Sequence, residues 1–231
     1  MKRPAAFSQA WWLEWGLSAM LVFFALAIFV GLPLETLGLI SPTAVGVAIT
    51  LLFVSGVVAM AGRGWVTYLV GAAAFASLAV RWATEVWPGR VLIVWDMALG
   101  ILALALLTAF ILRQVFRAGP ITGDRIRGAI LVYLLIALVW CVAYQLVDFL
   151  SPGAFRFPDQ RLPAPGRLSQ ELAYYSFITL TTVGYGDITP VSPVARTLSV
   201  VEALIGQLYP AILIGRLISL QISSRPGGEA R

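Results

Sequence analysis

The chain has 231 residues, of which 60% are hydrophobic and only 12% are charged. A soluble domain of this length normally carries about 25% charged residues, so the composition excludes an ordinary water-soluble protein and indicates a lipid environment. The net charge of +5 and the pI of about 9.8 come from basic residues at the ends of apolar segments, which indicates membrane topology rather than nucleic-acid binding.

The sequence contains no histidine and one cysteine, Cys141. The commonest metal ligand and the usual pH-sensitive side chain are therefore missing, and an intrachain disulfide is excluded. Neither a metal-ligand cluster nor a Ser/His/Asp set can be assembled. We predict that the chain is not an enzyme and needs no cofactor.

Six segments have the apolar character of membrane spans, which need about 20 residues. The predicted spans are residues 16–34, 43–61, 65–80, 91–112, 128–150 and 194–221. We interpret the first as an uncleaved span, because Trp11, Trp12 and Trp15 precede it as membrane-interface residues do. A Gly62-Arg63-Gly64 break separates the second span from the third.

The stretch between the last two spans has a different character. Residues 151–166 are rich in proline, glycine and charge and predict an exposed loop. Residues 169–181 predict a helix too short to span, with Ser169 as N-cap and Glu171 in its first turn. Irregular backbone at membrane depth occurs only where protein buries it or where it lines a water-filled path. The predicted fold is thus an all-α membrane protein with six transmembrane helices and a re-entrant pore helix and filter between the fifth and sixth.

The backbone after this short helix can replace the water around a dehydrated monovalent cation, because carbonyl oxygens attract a cation without trapping it. Gly184 and Gly186 permit the positive φ needed to aim successive carbonyls at one axis. Thr182 adds a hydroxyl at the inner end. Val183 and Tyr185 should point away from the axis and brace the loop against the short helix.

The run from Tyr174 to Asp187 reads YYSFITLTTVGYGD. It resembles the pore helix and filter of bacterial-type tetrameric potassium channels, and the resemblance covers about residues 128–221. One pore loop per chain cannot surround an axis, so several chains must form the pore, and the resemblance implies that they are four identical copies. It also implies K⁺ on the carbonyls of the filter residues Thr182, Val183, Gly184 and Tyr185, with Gly186 completing the filter.

Residues around the filter are expected to support it. Tyr174 and Tyr175 stand where many relatives have two tryptophans, and Thr181 directly precedes the filter. Some bacterial relatives place a glutamate, which bonds the filter aspartate, where this chain has Ile178. Asp187 therefore needs another partner, for which the Tyr174 hydroxyl is a candidate.

The sixth span carries three unusual residues. Glu202 either tunes the cation concentration below the filter or holds the pore helix from behind by a hydrogen bond; we favour the second role. Gly206 falls where the family usually has its hinge glycine, and Pro210 follows four residues later. We expect a bend there, which is either a gating hinge or a fixed kink.

The fourth span lacks the arginines or lysines at every third position that a voltage sensor needs. Its one ionisable residue is Asp96, which we interpret as a structural partner of Arg81 or Arg90. We therefore predict no conventional voltage sensor.

With the N-terminus inside, ten basic residues lie on the inner side and six on the outer side. This bias predicts a multi-pass protein of the cell membrane with both termini in the cytoplasm. The predicted parts are a four-helix domain (1–127), a pore domain (128–221) and a short tail (222–231). The predicted partners are lipid, K⁺ and three further copies, and no nucleic acid; a separate regulatory subunit stays open. The alternatives are a membrane subunit of a potassium uptake system and a weakly selective cation channel.

Overall fold

The computed structural model describes residues 16–59, 65–87, 89–117, 119, 121–158 and 165–223. Within these ranges the chain is almost wholly helical. The helices are α1 (Gly16–Glu35), α2 (Pro42–Ala59), α3 (Trp65–Val86), α4 (Arg90–Phe116), α5 (Gly123–Leu150), α6 (Pro165–Leu180) and α7 (Pro193–Ser223). Two short strands, β1 (Phe155–Arg156) and β2 (Thr189–Pro190), pair in antiparallel register.

Among the described residues, four helices are long and apolar enough to cross a membrane, namely α1, α4, α5 and α7. Helices α2 and α3 contain shorter apolar segments, Val47–Gly56 and Val70–Thr84. All six predicted spans are thus helical where they are described, and four of them meet the length and hydropathy needed to span. The predicted tryptophan belt, the break at Gly62-Arg63-Gly64 and most of the tail lie outside the described residues.

Two helix starts differ from the prediction. Helix α5 begins at Gly123 rather than at 128, because Thr122 caps it: its hydroxyl accepts from the Arg125 N–H at 3.4 Å. Helix α6 begins at Pro165, so the prediction of Ser169 as N-cap is wrong. A proline suits the first helical turn because it has no N–H to leave unpaired. Ser169 lies one turn inside the helix and donates to the Gln145 side chain at 3.1 Å.

Helix α1 contains a π-helical turn over Leu26–Gly31, which the sequence did not suggest. The Leu32 N–H donates to the Ala27 carbonyl, five residues back, and Pro33 next to it has no N–H to offer. At this level α1 contacts α6: the Phe177 ring lies 6.3 Å from that of Phe24 and 5.7 Å from that of Phe29. The first helix therefore packs against the predicted pore helix.

Most buried side chains form one cluster that runs through α1 to α5 and crosses the predicted domain boundary at 127/128. From α4 it includes Leu104 and Leu107, and from α5 it includes Leu131 and Leu135. A second cluster lies at the other end of α5, against α6 and β1. Its centre is an aromatic triad of Tyr144, Phe155 and Tyr175, with ring centroids 5.2 to 5.3 Å apart. The two clusters hold α6 on α5.

Candidate ion-binding site

Helix α6 ends at Leu180, and the chain turns back over its last turn. The Thr181 N–H donates to the Phe177 carbonyl at 3.0 Å, and the Thr182 N–H donates to the Thr179 carbonyl at 2.9 Å. Two residues on, the Gly184 N–H donates to the Ile178 carbonyl at 3.1 Å. These bonds fix the start of the loop at the negative end of the helix dipole.

Along the loop that follows α6, the backbone dihedral φ is positive at every second residue. φ is +59° at Thr182, +52° at Gly184 and +77° at Gly186. In a regular strand successive residues face opposite sides, whereas a positive φ at every second residue departs from that pattern and allows successive carbonyls to face one axis, as a filter of carbonyl rings requires. The predicted positive φ at the two glycines is confirmed. The positive φ at Thr182 was not predicted, because a β-branched residue rarely adopts it.

Gln207 of α7 is a contact that sequence reasoning missed. Its side-chain amide donates to the Thr182 hydroxyl at 2.9 Å and helps to hold this strained residue in place. The available signal was an uncharged polar residue beside Gly206 in an apolar helix. Thr181, predicted as filter support, turns its hydroxyl back and donates to the Phe177 carbonyl at 2.7 Å.

At the other end of the loop, Asp187 is held by two donors. The Tyr174 hydroxyl donates to its Oδ2 at 2.7 Å, and the Ile188 N–H donates to its Oδ1 at 3.0 Å. The predicted Tyr174–Asp187 bond is therefore present. Because the hydroxyl stabilises the carboxylate, the pKa of Asp187 lies below its usual value. The same bond raises the pKa of Tyr174 to about 12.

Glu202 of α7 is fully buried behind α6. Its carboxylate accepts from the Ser176 hydroxyl of α6 and from the Tyr144 hydroxyl of α5, each at 2.5 Å. Of the two roles considered for Glu202, this geometry agrees with a hydrogen bond that holds α6 from behind. Hydrogen bonds offset the cost of burying such a group, so this contact joins three helices. Close by, the Tyr175 hydroxyl lies 2.7 Å from that of Ser199.

Gly206 brings α7 against the start of the loop. A Cβ at this position would collide with the Leu180 carbonyl, which also accepts from the Tyr133 hydroxyl at 3.1 Å. Helix α7 continues without a break through Gly206 and Pro210. The close approach of α7 to the Leu180 carbonyl explains why a glycine stands at position 206. A hinge at Gly206 stays a prediction.

The side chains of Val183 and Tyr185 are 52% and 72% exposed. The prediction that they brace the loop against α6 is therefore wrong within one chain. The buried face of α6 is already occupied by α1, α5, α7 and the second aromatic cluster, so Val183 and Tyr185 stay largely exposed in the single chain.

In the four-helix part, Arg81 and Asp96 line the same cavity of about 210 Å³, together with Ser169 and Gln145. Their predicted ion pair stays a prediction. Helix α4 carries arginines only at its ends, Arg90 and Arg113.

Residues 130–221, from α5 to α7, match a family model described as "Ion channel". Protein LctB of Bacillus caldotenax is 33% identical over 88 residues, which cover 37% of this chain and 64% of that protein. Two pore potassium channel c of Oryza sativa subsp. japonica is 31% identical over 94 residues, 40% of this chain and 20% of that protein. Two-pore potassium channel 4 of Arabidopsis thaliana is 29% identical over 90 residues, 39% of this chain and 31% of that protein. The chain thus spans less than two thirds of the length of each of these relatives. No solved structure gave a significant match.

Proposed function

We propose, starting from the match of residues 130–221 to an ion channel family model and from the similarity to two plant potassium channels, that the whole chain is a subunit of a potassium-selective channel. The observation that carries this proposal is the alternating backbone of Thr182, Gly184 and Gly186 at the end of α6. Such a backbone can present a column of carbonyl oxygens to one axis. Carbonyl dipoles replace the water of K⁺ at little net cost and let the ion leave again.

In this proposal K⁺ binds to the carbonyls of Thr182, Val183, Gly184 and Tyr185, with Gly186 completing the filter. Conduction is passive: ions in neighbouring positions repel one another and move down the electrochemical gradient. Asp187, Thr181, Tyr174, Tyr175 and Glu202 would hold the filter through the hydrogen bonds described above.

A homotetramer is part of the proposal. One loop supplies one wall of a pore, and the exposed Val183 and Tyr185 side chains would be covered by neighbouring copies. Helix α7 supports this, because only 11% of its most apolar stretch is buried within the chain. An apolar helix left so open has room for both lipid and further subunits.

The proposed topology has six spans, with α2 and α3 completing the four-helix part and α6 entering the membrane without crossing it. Both termini would lie in the cytoplasm, because the basic residues between positions 113 and 127 then face inward.

The deciding experiment is ion flux through the purified protein in sealed liposomes, with K⁺ or Na⁺ as the driven ion and valinomycin as the control for vesicle integrity. We expect K⁺ flux that barium blocks and little Na⁺ flux. Equal flux of both ions would contradict the filter assignment and indicate a weakly selective cation channel. K⁺ uptake only in the presence of a second protein would indicate a subunit of an uptake system.

A further inference from the structure

A cavity of about 180 Å³ lies where α4 ends and α5 begins, at the end of the molecule opposite Asp187. Two arginines, Arg117 and Arg125, are on its lining, and Gln114 and Thr122 add polar groups. Apart from Asp124, the rest of the lining is apolar: Leu17, Gly56, Phe110, Ile111, Val115 and Gly128. The cavity therefore combines two basic side chains with a largely apolar lining.

The charge on the polar side is positive. The charged residues of the lining are Arg117, Arg125 and Asp124, which give a net charge of +1. The aspartate, Asp124, is already paired with Arg127 at 3.2 Å. Among the described residues, the Arg117 guanidinium has neither a hydrogen bond nor an ion pair. An anion in the cavity would thus meet unpaired positive charge.

The position of Arg125 is fixed before any ligand binds. Its Nη1 donates to the Gly119 carbonyl at 3.0 Å, which leaves the other N–H groups of the guanidinium free of this bond. The same residue lies in the first turn of α5, whose N-terminus carries partial positive charge. Guanidinium groups and helix N-termini both favour phosphate.

The apolar part of the lining favours the head group of a lipid over a small soluble anion. A drug-sized ligand needs a pocket of about 300 Å³ or more, so this cavity has room for a head group but not for acyl chains. The chains would leave the cavity along the apolar sides of α4 and α1, which carry the exposed Leu102 and Val22 further along.

We propose that this cavity binds the phosphate head group of an anionic phospholipid, with its acyl chains lying along the outside of the helices. Basic pockets between transmembrane helices are suited to such head groups. Binding can be measured without ion flux, so the outcome does not depend on the proposed channel activity.

The test is native mass spectrometry of the detergent-purified, full-length protein, titrated with dioleoylphosphatidylglycerol or with dioleoylphosphatidylcholine. We expect the anionic lipid to bind more tightly than the zwitterionic one with the same chains. Arg117→Gln should weaken binding of phosphatidylglycerol about fivefold, since each arginine near a membrane surface contributes about 1 kcal/mol. Arg125→Gln should have a similar effect.

Arg156→Gln is the matched control, because this exposed arginine lies beyond the other end of α5; it should change binding less than about twofold. Within the described part of the chain the Arg117 guanidinium holds no other group. Its variant should therefore keep the thermal midpoint of the lipid-free protein, which is measured alongside. Equal binding of the two lipids, or unchanged binding in Arg117→Gln, would overturn the proposal. Equal competition by glycerol phosphate would overturn it too, since the site would then serve a soluble phosphate.

Discussion

The positive φ values of the loop determine which residues it tolerates. Gly184 and Gly186 adopt φ of +52° and +77°, and a Cβ added at either position would meet no heavy atom within 4 Å. Within one chain, space is therefore available for a side chain at either position, and the positive φ is the constraint. For an L-residue, a left-handed conformation costs about 1–2 kcal/mol.

Gly184→Ala should reduce K⁺ flux more than about 100-fold, because this strain acts on every chain around the pore and displaces carbonyls from the axis. Liposome flux measures the effect. Gly38→Ala is the matched control: Gly38 has φ of +71°, equally open surroundings and a place in the α1–α2 connection, far from the loop in sequence. Normal flux in Gly184→Ala would contradict the filter assignment, and equal losses in the two variants would point to a general folding defect.

Tyr174→Phe tests the anchor of Asp187. The Tyr174 hydroxyl lowers the pKa of Asp187, so the stabilising contact is present at neutral pH and is lost as the pH falls through that lowered value. Without the hydroxyl, the pKa should rise towards its ordinary value of about 4. The acid loss of K⁺ flux should then begin at a higher pH than in the unmodified protein.

The measurement is a flux–pH profile with the same pH on both sides of the membrane. Tyr68→Phe is the control, since Tyr68 is 80% exposed on α3. Superimposable profiles of Tyr174→Phe and the unmodified protein would show that the bond has no role in the open filter.

At the scale of elements, the contact between α6 and α7 determines where the loop begins. Gly206→Ala should lower both the thermal midpoint and the flux, because its Cβ would collide with the backbone carbonyl of Leu180. Gly215→Ala on the same helix is the matched control. Its Cβ meets nothing within 4 Å, and alanine should stabilise the helix by about 0.5–1 kcal/mol.

Thermal unfolding in detergent and liposome flux separate two roles of Gly206. Loss of stability and flux together indicates the close approach. A stable variant with altered opening alone would indicate a hinge and would contradict the packing prediction.

Apolar runs were sufficient to predict the approximate positions of the helices, and glycine placement predicted the positive φ at Gly184 and Gly186. The positive φ of Thr182 was not predicted, because a β-branched residue rarely adopts it, and its contact with Gln207, 25 residues further along the chain, leaves no local pattern in the sequence. The start of α6 at Pro165 was missed because the proline and glycine at positions 165 and 166 were assigned to the preceding loop. The Glu202 contacts were predicted only as one of two alternatives, since a helical pattern does not show which neighbour a buried carboxylate meets.

At the scale of the whole molecule, α1 to α4 share one buried core with α5. Any movement of α4 would therefore disturb the pore part directly. Yet α4 has no basic residue between Arg90 and Arg113, and a charge must cross the membrane field to contribute about 2.3 kcal/mol per 100 mV.

The open probability should therefore vary weakly with voltage. Recordings in planar bilayers over about ±100 mV test this, with a voltage-gated channel recorded in the same bilayers as the reference. A steep conductance–voltage curve that requires several gating charges would contradict the prediction and would direct attention to charges outside α4.

The exposed loop of the single chain has a consequence for biosynthesis. In the proposed assembly, the side chains of Val183 and Tyr185 find their cover only on other copies. A newly inserted single subunit would then contribute one wall of an incomplete pore and would not conduct ions. Selectivity would arise at the moment of assembly, so a cell making these subunits would not leak ions while they diffuse singly through its membrane.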